Sequence, residues 1–535
     1  MRGLQSTNHP GLQTWLWALV ALAGCEGRAT ALRFTPDAGV DAAPPGRYDI
    51  ELNPFRQLDL VFMIDNSSSM APKQQKLRDN FPRLISALKN PVDGSLPDLR
   101  VAIIDSDLGT GPEGYASGSC GPKQLSDGTT SAYGDMGRFQ MLGAKSCGVV
   151  SGDARWLEYA NSQPVNFTGE IDSVFACLAG NLGTIGCGEE HQLQAFEFAL
   201  VSSGVGNDAQ RAMLRANANL GLVFLTDEDD CSAALNDGMF GALADLGGED
   251  ASLRCATRSA ACGGKNLTSA PPGYPTSASF EAPFSTCAAR VDACPTTMDG
   301  GKSTDTSKPT TCSPLRGVKR VVEEIKHLKA KPAEQLFVVG IFGWPLAEED
   351  MASATYKIAP IPNVNTADTS HPRVYAEWPV CYDPAHTPTN PDAITGFDPD
   401  AAGWGALGGL RLAEFVNAFG DNGLKFSICQ PDFSDSMLLI GRGMSRQMQK
   451  LCVPTTIDRF TACTVNFVRR DDAGRDVVEP AAIPVCDPQP AAYPCYRLEV
   501  DDTLCPGDNY YVHLDRGDAN DQPIEHGTKL AFRCE

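Results

Sequence analysis

The strongest constraint on folding is a series of short, mostly apolar runs at residues 58–64, 99–104, 220–225 and 336–342, with a further strand read at 424–428. Runs of this length and texture suit strands covered on both faces. Between them, apolar residues recur at helical spacing. Leu77, Phe81, Leu84, Ile85 and Leu88 form one such face, and Pro82 predicts a kink or break within it. Residues 171–178, 189–201, 410–419 and 434–448 also read as helices, as does the series Leu315, Val318, Val321, Val322, Ile325, Leu328, and 137–142 reads as a shorter edge strand. Strand and helix in turn predict an α/β fold, a doubly wound and mostly parallel sheet with helices on both faces.

The chain has 535 residues and a net charge of −22. That length exceeds one ordinary domain. The acidic balance argues against a nucleic-acid partner, since phosphate binding wants a basic face. Residues 1–25 read as a signal segment: Arg2, a short apolar stretch over 15–23, then Leu22-Ala23-Gly24-Cys25. That ending resembles a bacterial lipobox, which implies acylation of Cys25 and a lipid anchor; the alternative is an ordinary cleaved signal peptide. Glu26 after that cysteine leans toward the outer membrane of a Gram-negative cell envelope, with secretion as the alternative. Residues 26–50, rich in Ala, Pro, Asp and Gly, read as a tether.

There are 19 cysteines. With Cys25 set aside for lipid, the remainder is even and can pair fully, as expected in an oxidising compartment. Zinc is the competing use, but no Cys-x-x-Cys pair occurs and the seven histidines are scattered. A domain over 51–450 is expected, interrupted by insertions at 231–312, stapled by disulfides, and at 345–408. Beyond it, 451–535 reads as a small Cys-rich β module built on alternating runs near 464–468, 496–500, 510–514 and 529–532.

The run 58–64 ends in Asp65-Asn66-Ser67-Ser68-Ser69. In extended chain, alternation by two points Asp65, Ser67 and Ser69 the same way, offering one carboxylate and two hydroxyls at a strand's carboxyl end. Such oxygen ligands suit a hard divalent cation; a polar turn with helix-capping serines is the plainer alternative. Strand-Asp65-x-Ser67-x-Ser69 resembles the metal-ion-dependent adhesion site (MIDAS) of von Willebrand factor A (VWA) domains. The phrases around Gly183-Thr184-Ile185-Gly186 and Thr226-Asp227-Glu228-Asp229-Asp230 resemble those of myxobacterial VWA lipoproteins. The resemblance implies that Thr184 and Asp227 complete the site, with Asp229 as the reserve for Asp227, because Glu228 stands where the family carries glycine. It also implies magnesium, or manganese or calcium, and a protein partner whose Asp or Glu carboxylate reaches the ion. Cys177, Cys187 and Cys231 bracket these loops, either fixing the ligands or only stapling the chain.

Glu189-Glu190-His191 lacks the second histidine of a zinc-protease motif and reads as a solvated helix start. Asp105-Ser106-Asp107 reads as an ordinary strand-end loop, and Arg516-Gly517-Asp518 as a hairpin turn. With no nucleophile elbow, phosphate loop or identifiable general base, the expectation is a binding protein and not an enzyme.

Overall fold

A computed structural model describes residues 47–534 apart from short stretches and the longer segments 234–250, 267–286, 294–311, 347–356 and 388–402. Cys25 and most of the expected tether therefore lie outside the described residues, as does much of both insertions.

The largest sheet has seven strands, in the order Gly423–Ser427, Leu336–Phe342, Asn219–Leu225, Gln57–Ile64, Asp98–Ile104, Leu157–Ala160, Gln163–Pro164. Neighbours among the first five pair in parallel. The last two strands run antiparallel to what precedes them. The edge lies at 157–164; residues 137–142, expected as a strand there, form no strand.

Alternation along the central strand divides the core. Leu58, Leu60 and Phe62 face a cluster with Leu77, Phe81, Phe175, Met437 and Ile440. Val61 and Met63 face another with Phe196, Val322 and Phe415. Asp59, the one acid in this strand, is buried but receives both the amide and the guanidinium of Arg215 at 2.8 Å. The helix Ala71–Leu88 opens with a proline in its first turn and runs unbroken through Pro82. Pro82 is on the exposed side of the helix.

The expectation of a doubly wound, mostly parallel α/β fold is corrected as a description of this chain. The molecule is β-rich with mixed sheets: the described residues form 25 strands in eight sheets. The seven-stranded sheet is itself mixed, and the others are mostly short antiparallel pairings. Two- and three-residue strands have no periodicity to read in sequence, so the long apolar runs dominated the expectation.

The C-terminal module forms two sheets. One has the order Arg47–Glu51, Lys529–Cys534, Cys463–Arg470, Asp476–Ala482, and the other Cys452–Pro454, Asn509–Asp515, Cys495–Glu499. The end of the expected tether is thus a strand of the module, with Ile50 buried beside Val465, Tyr511 and Phe532. Disulfides Cys452–Cys505, Cys463–Cys534 and Cys486–Cys495 staple it. Arg516-Gly517-Asp518 follows the strand Asn509–Asp515 in a short 3-10 turn at Gly517–Ala519. No helix among the described residues is long and apolar enough to cross a membrane.

Candidate functional site

The central strand delivers Asp65 to the site. Its amide continues the ladder to the Leu225 carbonyl at 2.9 Å, and its side chain is fully buried. One carboxylate oxygen accepts the Ser67 amide at 2.8 Å, the other the Thr226 hydroxyl at 2.7 Å. The Ser67 and Ser69 hydroxyls lie 3.4 Å apart. Burial and the neighbouring Asp227 carboxylate push the Asp65 carboxyl up to about 6.

The Thr184 loop is tied to this corner on both sides. Gln74, from the helix Ala71–Leu88, donates to the carbonyls of Asp65 (2.8 Å) and Gly183 (3.1 Å). The Gly186 amide donates to the Asn66 carbonyl at 2.7 Å. A Cβ at Gly186 would stand 2.0 Å from Asn66 Oδ1, so this approach requires glycine. Thr184 is half-buried between these ties, and Ile185 projects outward with 81% of its surface exposed. The disulfide Cys120–Cys187 holds the loop's far end, while Cys147–Cys177 and Cys231–Cys255 lie to either side in sequence.

Asp227 supplies the third corner. The buried Lys73 ammonium donates to its Oδ2 and, at 2.6 Å, to the Gly405 carbonyl. Asp227 Oδ1 is buried without a hydrogen-bond partner. Asp229, the reserve, is committed elsewhere: its Oδ1 accepts the amides of Asp230 (2.9 Å) and Arg411 (3.0 Å). Asp230 binds the Arg411 guanidinium at 3.0 and 3.1 Å. Of these acids, Asp227 is the one joined through Thr226 to Asp65.

Glu189, Glu190 and His191 are buried, which corrects the solvated helix start. The segment is covered by the two strand-end loops, with His191 N–H bonded to the Ser106 carbonyl and Cys231 N–H to the Glu190 carbonyl. Gln192 donates to the Thr226 hydroxyl at 2.9 Å. Burial and the surrounding acids hold the Glu190 and Glu228 carboxyls well above the usual range. Sequence reading missed Glu190, Lys73, Gln74 and Gln192; only Glu190, in a run of two acids, carried any signal.

Asp107 behaves as the loop reading expects, taking the amides of Gly109 (3.0 Å) and Cys187 (3.2 Å) and the Lys123 ammonium. Glu189, Cys231 and Cys255 also converge, but the two sulfurs are bonded to each other.

The oxygens fit a hard cation. A buried carboxylate oxygen without a donor and a second buried carboxylate would form the floor of such a site, and the half-buried Ser69 and Thr184 would form its rim. Beside this rim, His386 stacks on Trp404 at 3.7 Å, and a Cβ on neighbouring Gly403 would lie 3.4 Å from the Ser69 carbonyl.

No family model matches the chain, and no curated protein matches it. Solved structures similar to it include two forms of the pilus adhesin SpaC from Lactobacillus rhamnosus GG, at 9–10% identity and TM-scores of 0.28 and 0.30. The pilus adhesin RrgA from Streptococcus pneumoniae is similar at 11% identity and a TM-score of 0.28. The matches cover 92% and 91% of this chain, but 41% of SpaC and 57% of RrgA. The von Willebrand factor A assignment is therefore corrected: what the comparisons return is pilus adhesins, and no family model stands behind the motif resemblance.

Proposed function

We propose that this chain is a binding protein of the cell envelope that holds a divalent cation between Asp65, Ser67, Ser69, Thr184 and Asp227. Magnesium is the first choice, with manganese or calcium as alternatives, and the ion takes a carboxylate from an acidic side chain of a protein partner. The observation that carries this reading is the buried, donor-free Asp227 Oδ1 on a carboxylate that neighbours the buried Asp65. An anionic oxygen out of water and without a donor is costly, and a cation offsets that cost. Hydroxyl ligands add no charge, so the ion remains an acceptor for an outside anion. Ile185 and the His386–Trp404 stack, at the same rim, offer the partner apolar contact. The seven disulfides among the described residues suit an oxidising compartment. Attachment through a lipid on Cys25 is part of the same proposal.

Calorimetric titration of the metal-depleted full chain with Mg2+ and Mn2+ tests this. Binding should be lost in Asp65→Asn, and capture of an envelope partner should require the ion. A chain that binds neither ion, or an Asp65→Asn variant that binds as wild type, overturns the reading.

A structural scaffold is the second reading, and Lys73 favours it. Its ammonium already gives Asp227 an internal cation. An Asp65→Ala, Asp227→Ala variant that keeps all partner capture would decide for it.

A further inference from the structure

The carboxylates around the site exceed what one ion uses. Glu190 and Glu228 are within hydrogen-bond reach of each other, and the charges of both Asp65 and Asp227 act on each of them. Glu190 is 1% exposed, and its Oε1 has no hydrogen-bond partner. Its acidic neighbours in the fold bring no donor to that oxygen. Glu228 is half-buried, so this pair, unlike the Asp65 floor, has a route to solvent.

The backbone makes the arrangement rigid. Cys231 N–H donates to the Glu190 carbonyl at 2.9 Å, which pins the two loops side by side. Gln192 spans them as well, donating to the Thr226 hydroxyl and, at 3.4 Å, to the Glu228 carbonyl. The disulfide Cys231–Cys255 lies immediately beyond. Two carboxylates held face to face on fixed loops, one with an unpartnered oxygen, cannot relax apart as surface acids do. Lys73, the cation beside Asp227, is committed to Asp227 and Gly405.

We propose that Glu190 and Glu228 form a second divalent-cation site behind the first, so that the chain binds two ions. Being carboxylate-rich, this site favours calcium or manganese over magnesium, which demands smaller octahedral geometry and sheds water reluctantly. The second ion would neutralise the acids that face Asp65 and Asp227, and so hold the loops of the first site in register. The inference rests on reading Asp65 and its partners as a cation site.

The test is ion stoichiometry. The metal-depleted full chain is titrated with Mn2+, and free Mn2+ is followed by electron paramagnetic resonance. Wild type should take up two equivalents, Glu190→Gln and Glu228→Gln one each, and Asp65→Asn one. Wild type saturating at one equivalent, with Glu190→Gln unchanged and Asp65→Asn taking none, overturns the second site and leaves the first standing. No uptake at all overturns both. A single equivalent lost in Glu190→Gln and in Asp65→Asn alike also overturns the proposal, because all the acids then serve one ion. Melting in chelator controls for folding. Each isosteric amide relieves a buried carboxyl crowded by other acids, so both variants should melt at or above wild type; if one melts below, the stoichiometry of the other decides.

Discussion

Individual side chains here act mainly by neutralising one another out of water. Arg411 is 0% exposed, and its guanidinium binds Asp230 while its amide binds Asp229. Arg411→Ala leaves Asp230 buried without its counter-charge, which costs about 3–5 kcal/mol. Urea denaturation should show the loss as a lower midpoint with an unchanged slope. Glu377 behaves differently. Burial pushes its carboxyl from 4.5 up to about 8, against the Gly408 amide that favours the charged form and with the Asp229 charge opposing it. Because the folded value lies above the unfolded one, this contribution is fully present below about pH 4.5 and is lost as pH rises through 8. Unfolding free energies measured across that window should fall for wild type more steeply than for Glu377→Gln. An identical slope in the two proteins would refute the assignment. Asp65, Ser67 and Ser69 were legible at this scale because they are contiguous. Lys73 and Gln74 were not, since nothing in a helix's own sequence says which distant carboxylate or carbonyl its polar side chains will meet.

At the scale of elements, the helix Ala71–Leu88 links the core to the site. Its apolar face carries Phe81, stacked on Phe175 at 3.8 Å and edge-on to Phe62 at 5.5 Å. Its first turns carry Lys73 and Gln74 to Asp227, Asp65 and Gly183. Phe81→Ala should cost about 3–5 kcal/mol and weaken cation binding as well, which calorimetry on the still-folded variant would detect. Long elements were read well. Residues 434–448 form the helix Ser434–Met448, and 336–342 the strand Leu336–Phe342. The edge was misplaced because the strands Leu157–Ala160 and Gln163–Pro164 are short, the first half-buried and the second exposed, without the apolar run that marks a buried strand.

For the whole molecule, pairing between the first and last described strands matters most. The strand Arg47–Glu51 pairs with Lys529–Cys534, and the latter is tied to Cys463 across a sequence separation of 71. A loop that long makes a crosslink worth up to about 4 kcal/mol. Cys463→Ser with Cys534→Ser should lower the melting temperature, read by calorimetry, while cation binding at the distant Asp65 loop persists. Loss of both together would show that module and site unfold as one.

The sequence by itself determined the long strands and helices, the Asp65-Ser67-Ser69 corner and an abundance of cysteine, because each is a local pattern of burial or spacing. Tertiary structure decided the rest. It gave Asp229 and Asp230 to Arg411 and left one oxygen of Asp227 without a donor. It buried Glu190 against Glu228, and it made the tether's end a strand. It also set the overall class, β-rich with mixed sheets. The reason is physical: a buried charge is settled by whichever partner the fold brings within a few ångströms, and sequence distance does not record that partner.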